Sequence, residues 1–415
     1  MIKLNRLAVC AGVAMAVLVG ANALIAHAAR TTQRQLLLST INTMSPPIDC
    51  LFLGNSLIEA GCDPAAFKAS WPVQDKSPTA LNLGLGATTP VEHFLILKQA
   101  LQRPLNVRCL VYGFFDDQLN APVHGSWADL VGNRAFSYYF PRDAASFYAP
   151  GSRFQEWQLR IIAKIPMFAE RSSVWGKVEL LRRRLQQIGM PHQAINRFGN
   201  VADFSSLEDK DVDSFNQRCN TIIRQQKGFS APIREIIHIA QLRGIKVFLV
   251  EMPMPTAHRQ TFYSSPAWKE LRAYQQSLAT QDQAVYIQAS DWVKDDANFE
   301  DAIHLNPHGA ELFGSQLAAA LFQLLPAMNN RAAKPPQIQA VSVGDESRAL
   351  QHPVSTSLAP LQLHTVTDSA DKSNLSNNFP SHNNPSHASA PSTAAADTDA
   401  IGTGNTSPST NLPKK

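Results

Sequence analysis

Short apolar runs that return between amphipathic segments constrain this chain more than any other feature. Residues 49–53, 79–83, 107–112, 245–250 and 284–287 each have strand length. Two of them, 107–112 and 245–250, are nearly continuous in apolar side chains, as parallel strands covered on both faces must be. Helix patterns lie between them. Thr89 and Pro90 suit a cap and a first turn ahead of the stripe Val91, Phe94, Leu95; residues 233–241 run to a stop at Gly244; residues 268–279 and 308–325 follow. Strand, helix, strand in alternation predicts an α/β domain, a three-layer α/β/α sandwich around a five-stranded parallel sheet.

The stretch 116–229 breaks this alternation and is too long for a connecting loop, so it reads as a large insertion after strand three. Its first part is rich in aromatics (Trp127, Phe136, Tyr138, Tyr139, Phe140, Phe147, Tyr148, Phe154, Trp157), either core or a carbohydrate platform. Its second part predicts a helix over 174–188 with Arg182, Arg183 and Arg184 on a solvated side. Residues 329–415 turn to Ser, Asn, Thr, Pro and Ala and read as a disordered, low-complexity tail. The domain proper therefore spans 31–328.

Residues 1–30 open with Lys3 and Arg6 and continue from Leu7 to Ala29 almost without polar side chains. This is an export signal, and it reads equally as a cleaved signal peptide, with Ala26-His27-Ala28 as small-x-small site, or as a signal anchor crossing the inner membrane through residues 7–29. Either way the positive flank places the chain from about Thr31 outside the cytoplasm, in a periplasmic or other extracytoplasmic space. A net charge of +4 with Lys and Arg scattered gives no basic stripe for nucleic acid. Cys50, Cys62, Cys109 and Cys219 fall on the exported side. An oxidising compartment permits a disulfide among them, buried free thiols are the plainer reading, and the absence of any Cys-x-x-Cys argues against a metal site.

Two pieces carry chemistry. Strand one runs into Gly54-Asn55-Ser56, and strand five is followed by Asp301-x-x-His304. A serine hydroxyl needs a base within hydrogen-bond reach and a carboxylate to hold that base. In a doubly wound sheet both pieces lie at carboxyl ends of strands, where such folds place their sites. Ser56 is thus the candidate nucleophile, His304 the base and Asp301 its orienter, with no metal or organic cofactor required. His308 reads as structural or exposed.

From about Asp49 to Leu325 the chain resembles the SGNH/GDSL hydrolase superfamily, whose flavodoxin-like fold matches the predicted alternation. Gly54-Asn55-Ser56 resembles the first block, with Asn55 in place of the usual Asp. Asn82-Leu83-Gly84-Leu85-Gly86-Ala87-Thr88-Thr89 resembles the second, and Asp301-x-x-His304-Leu305-Asn306 the fifth. The resemblance implies the triad roles and an oxyanion donor in the Gly86 N–H, with Gly84 as the alternative. The third block departs: Gly113-Phe114-Phe115-Asp116-Asp117-Gln118 lacks the Asn that normally donates to the oxyanion, leaving Gln118 as a candidate substitute and requiring Asp116 and Asp117 to point elsewhere. A relaxed third block resembles the branch of exported polysaccharide O-acetyltransferases and esterases. That branch implies an acyl, in particular acetyl, ester chemistry on an envelope or extracellular polysaccharide, and a membrane-bound partner delivering the acyl donor. The rival readings are a non-catalytic carbohydrate-binding or assembly protein on a degenerate scaffold, and a small-ester esterase or lipase.

Overall fold

The computed structural model describes residues 2–45, 47–73, 77–121, 140–148, 150–186 and 211–325. The predicted tail at 329–415 lies outside them, as do Trp127, Phe136, Tyr138 and Tyr139.

The sheet is parallel throughout. Its strands are β1 (Cys50–Leu53), β2 (Ala80–Asn82), β3 (Cys109–Phe114), β4 (Lys246–Glu251) and β5 (Val285–Gln288), in spatial order β2-β1-β3-β4-β5. Residues of β1, β3 and most of β4 are buried on both sides, which explains their continuous apolar run. Alternation along the strands divides the core in two. Leu51, Leu53, Leu110, Tyr112, Val247 and Leu249 face one layer, with α5 (Pro90–Ala100), α11 (Ala231–Gln241) and α2 (Gln33–Thr43). Phe52, Val111, Phe248, Val250 and Ile287 face the other, with α3 (Ser56–Gly61), α4 (Pro64–Ala69), α10 (Val212–Arg224), α13 (Pro266–Gln281) and α14 (Pro307–Leu324). Helices on both faces of five parallel strands are the sandwich that the alternation predicts.

A short helix, α12 (Thr256–His258), continues into a π-helical turn (Arg259–Tyr263) after β4. Of the insertion, the described part comprises α6 (Pro141–Tyr148), α7 (Arg153–Ile162), α8 (Pro166–Ala169) and α9 (Arg171–Gln186). The last begins three residues before the predicted 174. The stretch 211–224, read from sequence as insertion, is different: α10 buries Phe215, Cys219 and Ile222 against α13 and belongs to the core. Its apolar stripe could be seen in the sequence, but its packing partner could not. The N-terminal segment is one helix, α1 (Ile2–Ala29), and its stretch Val9–Ala29 is long and apolar enough to cross a membrane.

The cysteines divide. Cys50 and Cys109, register partners on β1 and β3, form a disulfide, whereas Cys62 and Cys219 are free and buried. Free thiols are therefore the wrong reading for half of the four cysteines from Cys50 onward. Adjacent strands carry the two paired sulfurs to one point across 59 residues of sequence, a meeting that spacing alone does not reveal.

Candidate active site

In the order β2-β1-β3-β4 the connection from β1 runs to one side and that from β3 to the other, so the loops leaving these parallel neighbours diverge and open a crevice at their carboxyl ends. Ser56 stands there at the first position of α3. Asn55 caps that helix, its Oδ1 accepting the Leu57 N–H at 3.0 Å, as a cap residue should. Gly54 lets β1 end this close to β3: a Cβ there would lie 2.9 Å from the Gly113 carbonyl oxygen and 2.6 Å from Ile58 Cγ1.

Asp301 and His304 approach from the loop after β5. Phe299 and Leu305 bridge its two sides, and Asn306 both caps α14 through the Gly309 N–H (2.9 Å) and donates to the Ala297 carbonyl (2.7 Å). Within this frame Asp301 Oδ1 accepts the backbone N–H groups of Ile303 (3.0 Å) and His304 (2.8 Å). Both carboxylate oxygens lie at 2.8 and 2.7 Å from His304 Nδ1, and His304 Nε2 lies 2.7 Å from Ser56 Oγ. An ionised Asp301 only accepts, so Nδ1 carries the ring proton and Nε2 is left to accept from the Ser56 hydroxyl. Asp301 and His304 are 3% and 4% exposed, which keeps this charge alignment out of competition with water. Three residues spread over 248 positions thus form one hydrogen-bonded line.

The loop after β2 packs on α3. Asn82 donates its amide to the carbonyls of Ile58 (2.8 Å) and Cys62 (2.7 Å) and accepts the Gly84 N–H at 2.7 Å. Gly84 therefore spends its N–H on the scaffold, and a Cβ on it would sit 2.4 Å from the backbone nitrogen of Glu59. Gly86 directs its N–H to Glu59 Oε2 at 2.6 Å, and Gln33 donates to Glu59 Oε1 at 3.0 Å. The proposed oxyanion donor is thus occupied by a carboxylate one helical turn beyond the serine.

Behind this loop runs a buried relay. Thr88 Oγ1 donates to the Leu85 carbonyl, so it accepts from His93 Nε2 (2.9 Å), and His93 Nδ1 accepts from the Tyr112 hydroxyl (2.9 Å). Burial pushes His93 down to about 3 and Tyr112 well above the usual phenol range, so both are neutral and the donor direction is single. The Leu85 carbonyl belongs to the same peptide group as the Gly86 N–H, and the relay thereby fixes and polarises that peptide. Neither His93 nor Glu59 emerges from motif reading. The available signal for His93 is a histidine set inside the apolar stretch 91–97 of α5.

The carboxylates of Asp116 and Asp117 are taken up by partners other than the serine, although both residues line the pocket beside Asn55. Asp116, at φ 50°, pairs through Oδ1 with His258 Nε2 at 2.9 Å, and its N–H donates to the Tyr263 hydroxyl at 3.1 Å. Asp117 Oδ2 meets Arg218 Nε at 3.3 Å. Gln118 lines, with Asn55, Thr88, Val91 and Phe115, a pocket of about 290 Å³ beside the site, and its buried amide oxygen has no hydrogen-bond partner among the described residues. His308 is exposed, at 3.6 Å from Glu311. Among the described residues no group of three His, Cys, Asp or Glu side chains is arranged to hold a metal.

No family model matches this chain, and no curated protein sequence matches it either. Solved structures overlap it loosely. A protein from Bacteroides fragilis provisionally described as an acylhydrolase is 13% identical, covering 71% of this chain and 97% of its own, with a TM-score of 0.34. A carbohydrate acetylesterase family member from Sinorhizobium meliloti is 11% identical over 67% of this chain and 99% of its own, with a TM-score of 0.29. An inhibitor-bound aryl esterase from M. smegmatis is also 11% identical, over 67% and 100%, with a TM-score of 0.29. Overlaps this loose assign no activity.

Proposed function

We propose that the chain is an exported serine esterase or O-acyltransferase of SGNH type, acting on acyl esters, acetyl above all, of an envelope or extracellular polysaccharide. The observation that carries this reading is the Ser56–His304–Asp301 line at 2.7 and 2.7–2.8 Å, at the carboxyl end of the sheet. Ser56 Oγ attacks the acyl carbonyl carbon while His304 Nε2 takes the hydroxyl proton. The imidazolium so formed is held by Asp301, and its proton goes to the departing alkoxide. Water, or a sugar hydroxyl, then enters by the reverse sequence: His304 takes its proton, the oxygen attacks the acyl-serine, and Ser56 leaves reprotonated.

The developing oxyanion requires donors. The N–H groups of Ser56 and Gly86 are assigned that role, and Glu59 must release the latter when substrate arrives. Each such donor is worth roughly a hundredfold in rate or more. The pocket of about 290 Å³ beside Asn55 has room for a small acyl group.

Intact-mass labelling of the full chain with a fluorophosphonate tests the mechanism. One adduct is expected on the wild type and none on Ser56→Ala or His304→Ala. A folded wild type that takes no adduct would point to a binding scaffold. Release of acetate from acetylated polysaccharide, compared with hydrolysis of a short aryl ester, separates the polysaccharide enzyme from a small-ester esterase.

A further inference from the structure

Exposed apolar side chains gather on two parts of the described surface, α1 and the inserted helices α7 to α9. Phe154 and Trp157 share one face of α7, Val178, Leu181 and Leu185 form one stripe of α9 that Trp175 widens, and Phe168 is exposed on α8; Trp157 and Trp175 are 55% and 68% exposed. Elsewhere such residues, Leu242 and Leu312 for example, stand singly, which is ordinary for a protein surface. A gathering of them on successive helices is not.

These same helices grip α1. Ala21, Asn22, Ile25 and Ala26 are half-buried on one face of α1, which packs on α8 and α9. Asn22 Oδ1 accepts the Met167 N–H at 2.9 Å, and the Lys177 ammonium donates to the Ala28 carbonyl and the Thr31 hydroxyl. Asn22 lies seven residues before Ala29, where the apolar span ends, which is about 10 Å along a helix. Were α8 in water, α1 would have to leave the bilayer near Asn22. Only Val9–Ala21 would remain inside, roughly 20 Å of helix against a hydrocarbon core of about 30 Å. Keeping the whole span in hydrocarbon instead draws α8 and its flanking helices into the outer interface. Aromatic-bearing amphipathic helices are stable there at a depth of about 5–10 Å. Residues 153–186 also carry eight basic against three acidic side chains, a balance that anionic headgroups complement.

We propose that residues 153–186 form a bilayer-docking foot, seated in the outer interface of the membrane that α1 crosses, with a phospholipid surface bearing anionic headgroups as its partner. The inference rests on α1 being retained and is independent of the ester chemistry. It gives the catalytic site a fixed height: α2 follows α1 after three residues, and its Gln33 holds Glu59, one turn from Ser56. An acyl donor arriving from the membrane and an acceptor chain outside it would then meet at a set distance from the bilayer.

The test uses the full chain in vesicles of phosphatidylcholine and phosphatidylglycerol. Nitroxides are placed through Trp157→Cys, Trp175→Cys and Leu185→Cys in a Cys10→Ser background, with Leu242→Cys as the aqueous reference. The accessibility of lipid-soluble oxygen relative to a water-soluble nickel chelate is expected to be several-fold higher at the first three positions than at Leu242. Ratios equal to that at Leu242 overturn the proposal, whether the face is bare or covered by protein. Bromine-labelled acyl chains give the same answer without substitution: quenching of tryptophan fluorescence is expected, and its absence refutes the foot. Protein isolated from membranes with residues 1–29 missing by intact mass refutes it as well.

Discussion

Asp301→Asn replaces one oxygen by an NH₂ group and should abolish most of the activity without unfolding the protein. Asp301 Oδ1 accepts two backbone N–H groups, at 3.0 and 2.8 Å, and lies 2.8 Å from His304 Nδ1, while Oδ2 makes the shorter approach to that nitrogen at 2.7 Å. An asparagine keeps one oxygen, and the two backbone donors claim it. Its NH₂ must then face Nδ1, and a donor opposite an N–H is untenable in a site this buried. His304 therefore shifts to the tautomer protonated on Nε2, which points a proton at Ser56 Oγ and cannot take one away. Catalysis is left to the disfavoured tautomer. In a triad of this kind the loss is about 10⁴ in rate, or about 5.5 kcal/mol at 1.4 kcal/mol per decade. Stability should change by less than about 1 kcal/mol, because every buried polar group keeps a partner. The assay is the fluorophosphonate labelling rate at neutral pH beside the urea unfolding midpoint of the same preparation. A loss of tenfold or less, in a folded variant, would refute the assignment of Asp301 as the residue that sets the tautomer.

Three further outcomes follow from the geometry. Glu59→Ala should raise the labelling rate several-fold, since it frees the Gly86 N–H from a carboxylate at 2.6 Å; a fall would make Glu59 a support of the loop and not a competitor for its donor. His93 is held at about 3 against 6.5 in the unfolded chain, so from pH 6.5 down to 3 the unfolded state binds the extra proton and stability falls with pH, by about 1.4 kcal/mol per unit. Urea unfolding at pH 7 and pH 5 should therefore show His93→Gln losing about 2 kcal/mol less than the wild type over that interval, and parallel losses would contradict the buried relay. Arg272→Met strands the wholly buried Glu251, which Arg272 meets at 2.9 and 2.7 Å and Tyr286 at 2.8 Å. The expected cost is about 3–5 kcal/mol, and Glu251→Gln in the same chain should recover much of it in the unfolding curve.

The architecture, and the candidate grouping of Ser56 with Asp301 and His304, could be read from the residues because each rests on a local rule. Buried parallel strands must be apolar throughout, as 107–112 and 245–250 are, and alternation with helix patterns leaves few layer arrangements. Ser56 and Asp301/His304 follow strands one and five, and strand ends are where a doubly wound sheet gathers chemistry. Contacts that depend on which elements become neighbours were decided by the tertiary structure alone. Cys50 meets Cys109 because β1 lies beside β3 in register. Residues 211–224 leave the insertion for the core because α13 offers their apolar stripe a partner. Asp116 is paired because His258 and Tyr263, some 140 residues away, meet it. Glu59 reaches Gly86, and Tyr112, His93 and Thr88 line up behind the same peptide, only once the loop after β2 is laid on α3. Periodicity and strand-end position are written in consecutive residues, whereas a hydrogen bond across layers is written in the packing that brings two distant segments together.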